Sequence, residues 1–200
     1  MKTMYTCKSE LREAGKAIRS VGIWTFSLVV SMLLAEDAAK VPSPAPTKDR
    51  VGFPAGYATK FQVLRSFNRV PKMQVVTTFG NELAASIART NDLPYPYGSV
   101  LVLETVEALK DADGKPLMDD QGRYRRGKVV GLHVMRREKG FGADYGSNRT
   151  GEWEYVEYRP DGSYLTPPRQ SFACSECHVK AGQERDFVYR GRFPALETVK

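Results

Sequence analysis

The stretches KVVGLHVMRR, residues 128–137, and EWEYVEYRPDGSYL, residues 152–165, decide the fold. Both are rich in β-branched and aromatic residues, as extended strands are, and the second carries a turn signal at Asp161-Gly162. In the first, period-two alternation puts His133 and Met135 on one face. Upstream, PYPYGSVLVLETVEAL sets Pro94, Pro96 and Gly98 as a constrained turn before another long apolar strand, and KMQVVTTFG reads as a shorter strand ending at Gly80. Asn81 is placed to cap a helix over ELAASIART. The spacing of Tyr57, Phe61, Leu64 and Phe67, after Pro54 and Gly56, predicts a further helix over YATKFQVLRSFNRV. Three or four long strands joined by loops and hairpins, with helices at both ends, predict an α+β fold built on an antiparallel sheet.

The acidic segment DADGKPLMDDQGRYRRG reads as a hairpin loop. It is not an EF-hand, because the bidentate Glu that closes a calcium loop is missing. There are no internal repeats.

The first 35 residues have a different character. Five basic residues, from Lys2 to Arg19, precede the apolar run Val21 to Ala35, and acidic Glu36 and Asp37 follow. As a helix this run spans roughly 22 Å, short of the roughly 30 Å hydrocarbon core. The order is that of a Sec-type signal peptide over residues 1–35, with export to the periplasm and cleavage after Ala35 expected; an uncleaved N-terminal anchor is the alternative. Pro42, Pro44 and Pro46 alternate in the following segment, so residues 36–50 are expected to form an extended Pro-rich linker. The folded domain is then residues 51–200. Without its leader the chain is only mildly basic, and it has no basic-aromatic patch, so nucleic acid is not an expected partner.

The exported chain keeps two of its three cysteines, and both lie in SFACSECHVKAG, Ser171 to Gly182. Cys174 and Cys177 are spaced by two residues and His178 follows directly. In c-type haem attachment two thiols about one helical turn apart add across the porphyrin vinyl groups, and the next histidine ligates the iron. Zinc fits less well: adjacent Cys and His do not readily bind one ion, and a fourth ligand is lacking. A thioredoxin-like dithiol would follow a strand in a βαβ unit, whereas this motif closes an antiparallel domain. A structural disulfide is the remaining alternative. After His178 there are 22 residues, none of them Met or His, so any sixth iron ligand comes from upstream: His133, Met73, Met118 or Met135. An open distal face is the simplest expectation.

The order of YATKFQVL, TFGNELAA, LPYPYGSVLVLE, VVGLHVMRREKGF, GEWEYVEY, CSECH and RDFVYRGRFP resembles the cytochrome P-460 family, which includes the cytochromes c′-beta. The similarity runs over about residues 52–196, and Asp186 to Tyr189 stand at the family's usual distance after the haem motif. The resemblance implies a periplasmic fold holding one haem c, often as a homodimer, with Cys174 and Cys177 as thioether positions and His178 as the proximal metal ligand. It implies binding of nitric oxide or another small nitrogen oxide, or oxidation of hydroxylamine, at a distal face lined partly by aromatics. Tyr95 matches the position of such a distal aromatic and is a candidate cofactor-binding residue. Trp153 matches a family tryptophan, and a large aromatic there is more often core than cofactor wall. Hydroxylamine-oxidising members carry a lysine cross-linked to the porphyrin, yet no lysine occurs from Gly80 to Leu109. The expected function is therefore an exported mono-haem cytochrome that binds nitric oxide and exchanges electrons with a redox partner protein. A six-coordinate electron carrier and a hydroxylamine-oxidising enzyme are the alternatives. No catalytic residue is nominated.

Overall fold

The computed structural model describes residues 43–189; the leader, the first part of the linker and the last eleven residues lie outside them. A single helical turn, α1 (Tyr57–Lys60), leads into β1 (Gln62–Arg69), followed by β2 (Gln74–Gly80), α2 (Glu82–Ala85), β3 (Val100–Ala108), β4 (Arg126–Arg137), β5 (Trp153–Tyr158), β6 (Tyr164–Thr166) and α3 (Phe172–Val179). The six strands form one antiparallel sheet in the order β1-β2-β3-β4-β5-β6. The antiparallel sheet is as expected, with six strands in place of three or four and with few, short helices.

The helix predicted over YATKFQVLRSFNRV is the clearest correction. Only its first turn is helical; the remainder pairs with β2 through a 3-10 turn at Val70–Lys72. A register shift between Val63 and Arg65 breaks the strand's alternation. In consequence Tyr57 and Phe61 pack on one side of the sheet and Leu64 on the other, and the spacing of a helix results from a turn, a bulge and a strand. α2 likewise covers only the start of the predicted helix. Asn81 caps it, its side chain accepting from Ala84 N at 3.0 Å, while the Ser86 hydroxyl donates to the Leu83 carbonyl where the helix stops.

Strand register sorts the core into two faces. Phe79, Val102, Val134 and Val156 form one cross-strand row, which together with Val51, Leu132 and Tyr158 makes one apolar cluster. Gly80, Leu101, Met135 and Tyr155 form a row on the opposite face. There Ala84, Ile87, Tyr95, Tyr145, Trp153 and Val188 join it, and Cys174 packs against the group. Trp153, Tyr95 and Tyr145 are each no more than 1% exposed, and burial of side chains this large is worth about 1.5–3 kcal/mol apiece.

Buried carboxylates on the first face are paired. Glu104 accepts from Tyr57 Oη at 2.6 Å and from Arg126, and Glu154 accepts from Arg50 and from Gly142 N. Residues 43–50 run along the domain: Ala45 packs against the second cluster, and Asp49 accepts from the Tyr158 hydroxyl at 2.5 Å. In the β3–β4 connection, Asp111 and Asp119 each accept two backbone N–H groups of their own turns, so these acidic residues build turns. Among the described residues no group of three His, Cys, Asp or Glu stands where it could hold a metal ion.

Candidate haem-attachment site

α3 is an eight-residue helix. Ser171 and Ser175, four residues apart, are fully buried and point towards the 3-10 turn at Ala143–Asn148. Ser175 Oγ donates to the Asn148 carbonyl at 2.7 Å, and Ser171 Oγ pairs with Tyr145 Oη at 2.8 Å. Cys174 and His178, at i and i+4, are neighbours along the helix, and Cys177 lies about one turn from Cys174. The two cysteines are not joined to each other in a disulfide. Burial among the aromatics, with the Glu157 and Cys177 charges adding to it, pushes the Cys174 thiol up to about 12.

The imidazole of His178 is held on three sides. The Tyr155 ring lies 4.5 Å away between centroids at 34°, and the Tyr189 ring meets it edge-on at 5.5 Å. His178 Nδ1 stands 2.6 Å from the Phe187 carbonyl oxygen. A carbonyl only accepts, so Nδ1 carries the proton and Nε2 keeps its lone pair. Burial drives the imidazole down to about 4, against the opposing pull of the Phe187 bond, which leaves it a neutral ring. These are the requirements of a metal-binding histidine: a neutral ring, an Nδ1–H tied to a backbone carbonyl and a fixed orientation.

The segment after α3 makes this possible. Asp186 and Phe187 both adopt positive φ, 49° and 59°, and so turn the Phe187 carbonyl back over the helix. Asp186 is 6% exposed. Its Oδ2 accepts from Tyr95 N at 2.9 Å and lies 3.6 Å from Arg137 Nε, while Arg137 also donates to the Tyr95 carbonyl. Tyr189 Oη donates to the Cys177 carbonyl at 2.8 Å.

The structure brings Cys174, Cys177 and His178 together. Tyr95, fully buried, packs edge-on against Trp153 at 5.5 Å and lines a small recess with Leu64, Arg65, Thr78, Leu101, Val188 and Tyr189. Of the upstream residues weighed as iron ligands, Met73 packs against the Val75–Val106 cluster on the opposite face, Met118 is exposed in the β3–β4 connection, and Met135 is buried in the cluster against which Cys174 packs. His133 is paired with Glu157.

Sequence reasoning assigned no role to Tyr155, Phe187, Asp186 or Arg137. The residues Asp186 to Tyr189 stand out only by their distance from the motif, and nothing local announces that a main-chain carbonyl there meets His178.

Comparison with known families gives one finding: the model described as Cytochrome P460 matches residues 54–190. No curated protein matches the chain. The paired cysteines and the Nε2-open imidazole are compatible with a c-type haem.

Proposed function

Because the chain belongs to the cytochrome P460 family, we propose that it is an exported mono-haem c-type cytochrome that binds nitric oxide. The observation that carries this reading is the Nδ1–H of His178 held by the Phe187 carbonyl, on the same helix as two thiols one turn apart. Cys174 and Cys177 would hold the porphyrin through thioether bonds and His178 Nε2 would be the iron ligand. Haem iron, when bound, supplies a coordination position for a diatomic ligand and a one-electron couple.

The remaining residues set what reaches that position. Leu64, Leu101, Tyr95 and Val188 present apolar surface beside the motif. Apolar surface of this kind favours a neutral diatomic molecule; Arg65 and Thr78 border the same recess. The lack of a lysine between Gly80 and Leu109 argues against a cross-linked porphyrin and against hydroxylamine oxidation. The charge-then-apolar leader supports delivery to the periplasm, where a redox partner protein would supply electrons. A homodimer is the assembly proposed.

The test is the absorption spectrum of the purified chain from a host with cytochrome maturation, reduced, with and without nitric oxide. We expect a high-spin ferrous spectrum that changes when the gas is added, and a peptide mass carrying one haem through two bonds. A colourless protein overturns the haem reading. A low-spin spectrum indifferent to nitric oxide overturns the ligand reading in favour of an electron carrier. Light scattering of the same sample tests the dimer, and cell fractionation tests the compartment.

A further inference from the structure

The described residues hold two histidines, and both lie on one side of the sheet. His178 stacks on Tyr155. Two residues further along β5, on the same face, stands Glu157, the cross-strand partner of His133. The pair is built: His133 Nδ1 lies 2.5 Å from Glu157 Oε1, and Thr166 Oγ1 donates to the other carboxylate oxygen. A carboxylate accepts, so Nδ1 carries the proton and Nε2 is the position that gains or loses one. The Glu157 side chain is 17% exposed and that of His133 is 49% exposed, so the anion is sheltered while the imidazole stays open to proton exchange with water.

The pair is also within electrostatic reach of the haem motif. Glu157 is about 7 Å along β5 from Tyr155, whose ring stacks on His178. Burial alone would raise the Glu157 carboxyl, but the His133 and Thr166 contacts outweigh it and hold Glu157 below the usual range. Other groups facing the pair are few. Leu103 of β3 is directly opposite His133, and Thr78 and Arg65 continue the same row on β2 and β1. Arg65 is three strands away, about 14 Å, and its guanidinium lies over Phe67. With the thiols of α3 converted to thioethers and His178 ligated, neither exchanges protons.

We propose that the His133–Glu157 pair is a proton-binding site coupled to the haem iron, taking up one proton at His133 Nε2 as an external one-electron donor reduces the iron. This rests on the haem reading above. The balance is one electron from the donor to the ferric ion, which becomes ferrous, and one proton from water, which forms the Nε2–H bond. Reduction removes one unit of positive charge from beyond His178, and Glu157 stabilises the imidazolium that results. By linkage, protonation at His133 raises the potential as much as reduction raises the proton affinity.

The test is the midpoint potential of the holoprotein, by optical titration, from about pH 5 to 9, the range in which imidazoles exchange protons. We expect a window in which the potential falls with pH towards the limit of one proton per electron, about 59 mV per tenfold change in proton activity. In His133→Gln this window disappears. An unchanged slope in His133→Gln overturns the proposal and assigns any pH dependence to the haem propionates. A change of spin state in His133→Gln makes His133 an iron ligand and also overturns it. A chain that takes up no haem removes the reading beneath it and the proposal with it, an outcome that the spectrum separates from the other two.

Discussion

Asp186 and Phe187 sit in the left-handed backbone region, where a residue with a Cβ carries a cost of about 1–3 kcal/mol. The hydrogen bonds of this turn offset that cost: His178 to the Phe187 carbonyl, and Tyr95 N to the Asp186 carboxylate. Burial raises the Asp186 carboxyl above its ordinary value, although the Tyr95 N–H and Arg137 pull it down. The sign of the pH effect follows. The folded chain holds this proton to higher pH than the unfolded chain, whose aspartates titrate near about 3.9. Stability therefore falls as pH rises from there through the folded value. Asp186→Asn keeps an acceptor for Tyr95 N and cannot ionise. We expect its stability relative to wild type to be lowest near pH 3 and to climb through that window, read as urea midpoints at a series of pH values. A constant difference would mean that Asp186 does not titrate in the window.

At the scale of elements, α3 is a short helix latched by two buried hydroxyls. Ser175→Ala removes the donor to the Asn148 carbonyl and leaves that acceptor unpaired, at a cost of about 1–3 kcal/mol. The expected result is a lower urea midpoint with an unchanged slope. The turn that receives the latch depends on Gly142, at φ 78°, where a Cβ would stand 2.8 Å from the Gly151 carbonyl oxygen. Gly142→Ala combines that clash with left-handed strain, so we expect it to destabilise by at least as much, measured in the same way. Elements differ in how far they show in sequence. β3, β4 and β5 are long and rich in β-branched and aromatic residues, and they were legible. β1 was not, because the bulge at Val63/Arg65 replaced period two with a helix-like spacing. The same contrast holds at the site. Cys174, Cys177 and His178 are legible because attachment chemistry needs them adjacent along the chain. Tyr155 reaches His178 only through sheet register, and Phe187 acts through a main-chain carbonyl that any residue would supply.

At the scale of the molecule, the two sides of the sheet have different dependences on haem. Among the described residues, the cluster of Val51, Phe79, Val102, Leu132, Val134, Val156 and Tyr158 includes none from α3 or from the segment after it. The opposite cluster includes Val188 and packs against Cys174. Beyond it Tyr189 is 41% exposed and Val179 is 38% exposed. Loss of haem should therefore act unevenly. The strands retain their ladder and one complete apolar face, whereas α3 and residues 181–189 lose whatever a porphyrin bonded to Cys174 and Cys177 would bury beside them. Segments with few buried apolar contacts open at lower free energy than the core strands do. For the chain made without cytochrome maturation, we expect far-ultraviolet circular dichroism to keep its sheet signature. Amide exchange should then be faster than in the holoprotein in α3 and residues 181–189, and unchanged in β2 to β5. Uniform acceleration would mean that the sheet itself requires the cofactor. Identical exchange in the two forms would mean that α3 and the turn at Asp186 are held by Ser171, Ser175 and Tyr95 alone.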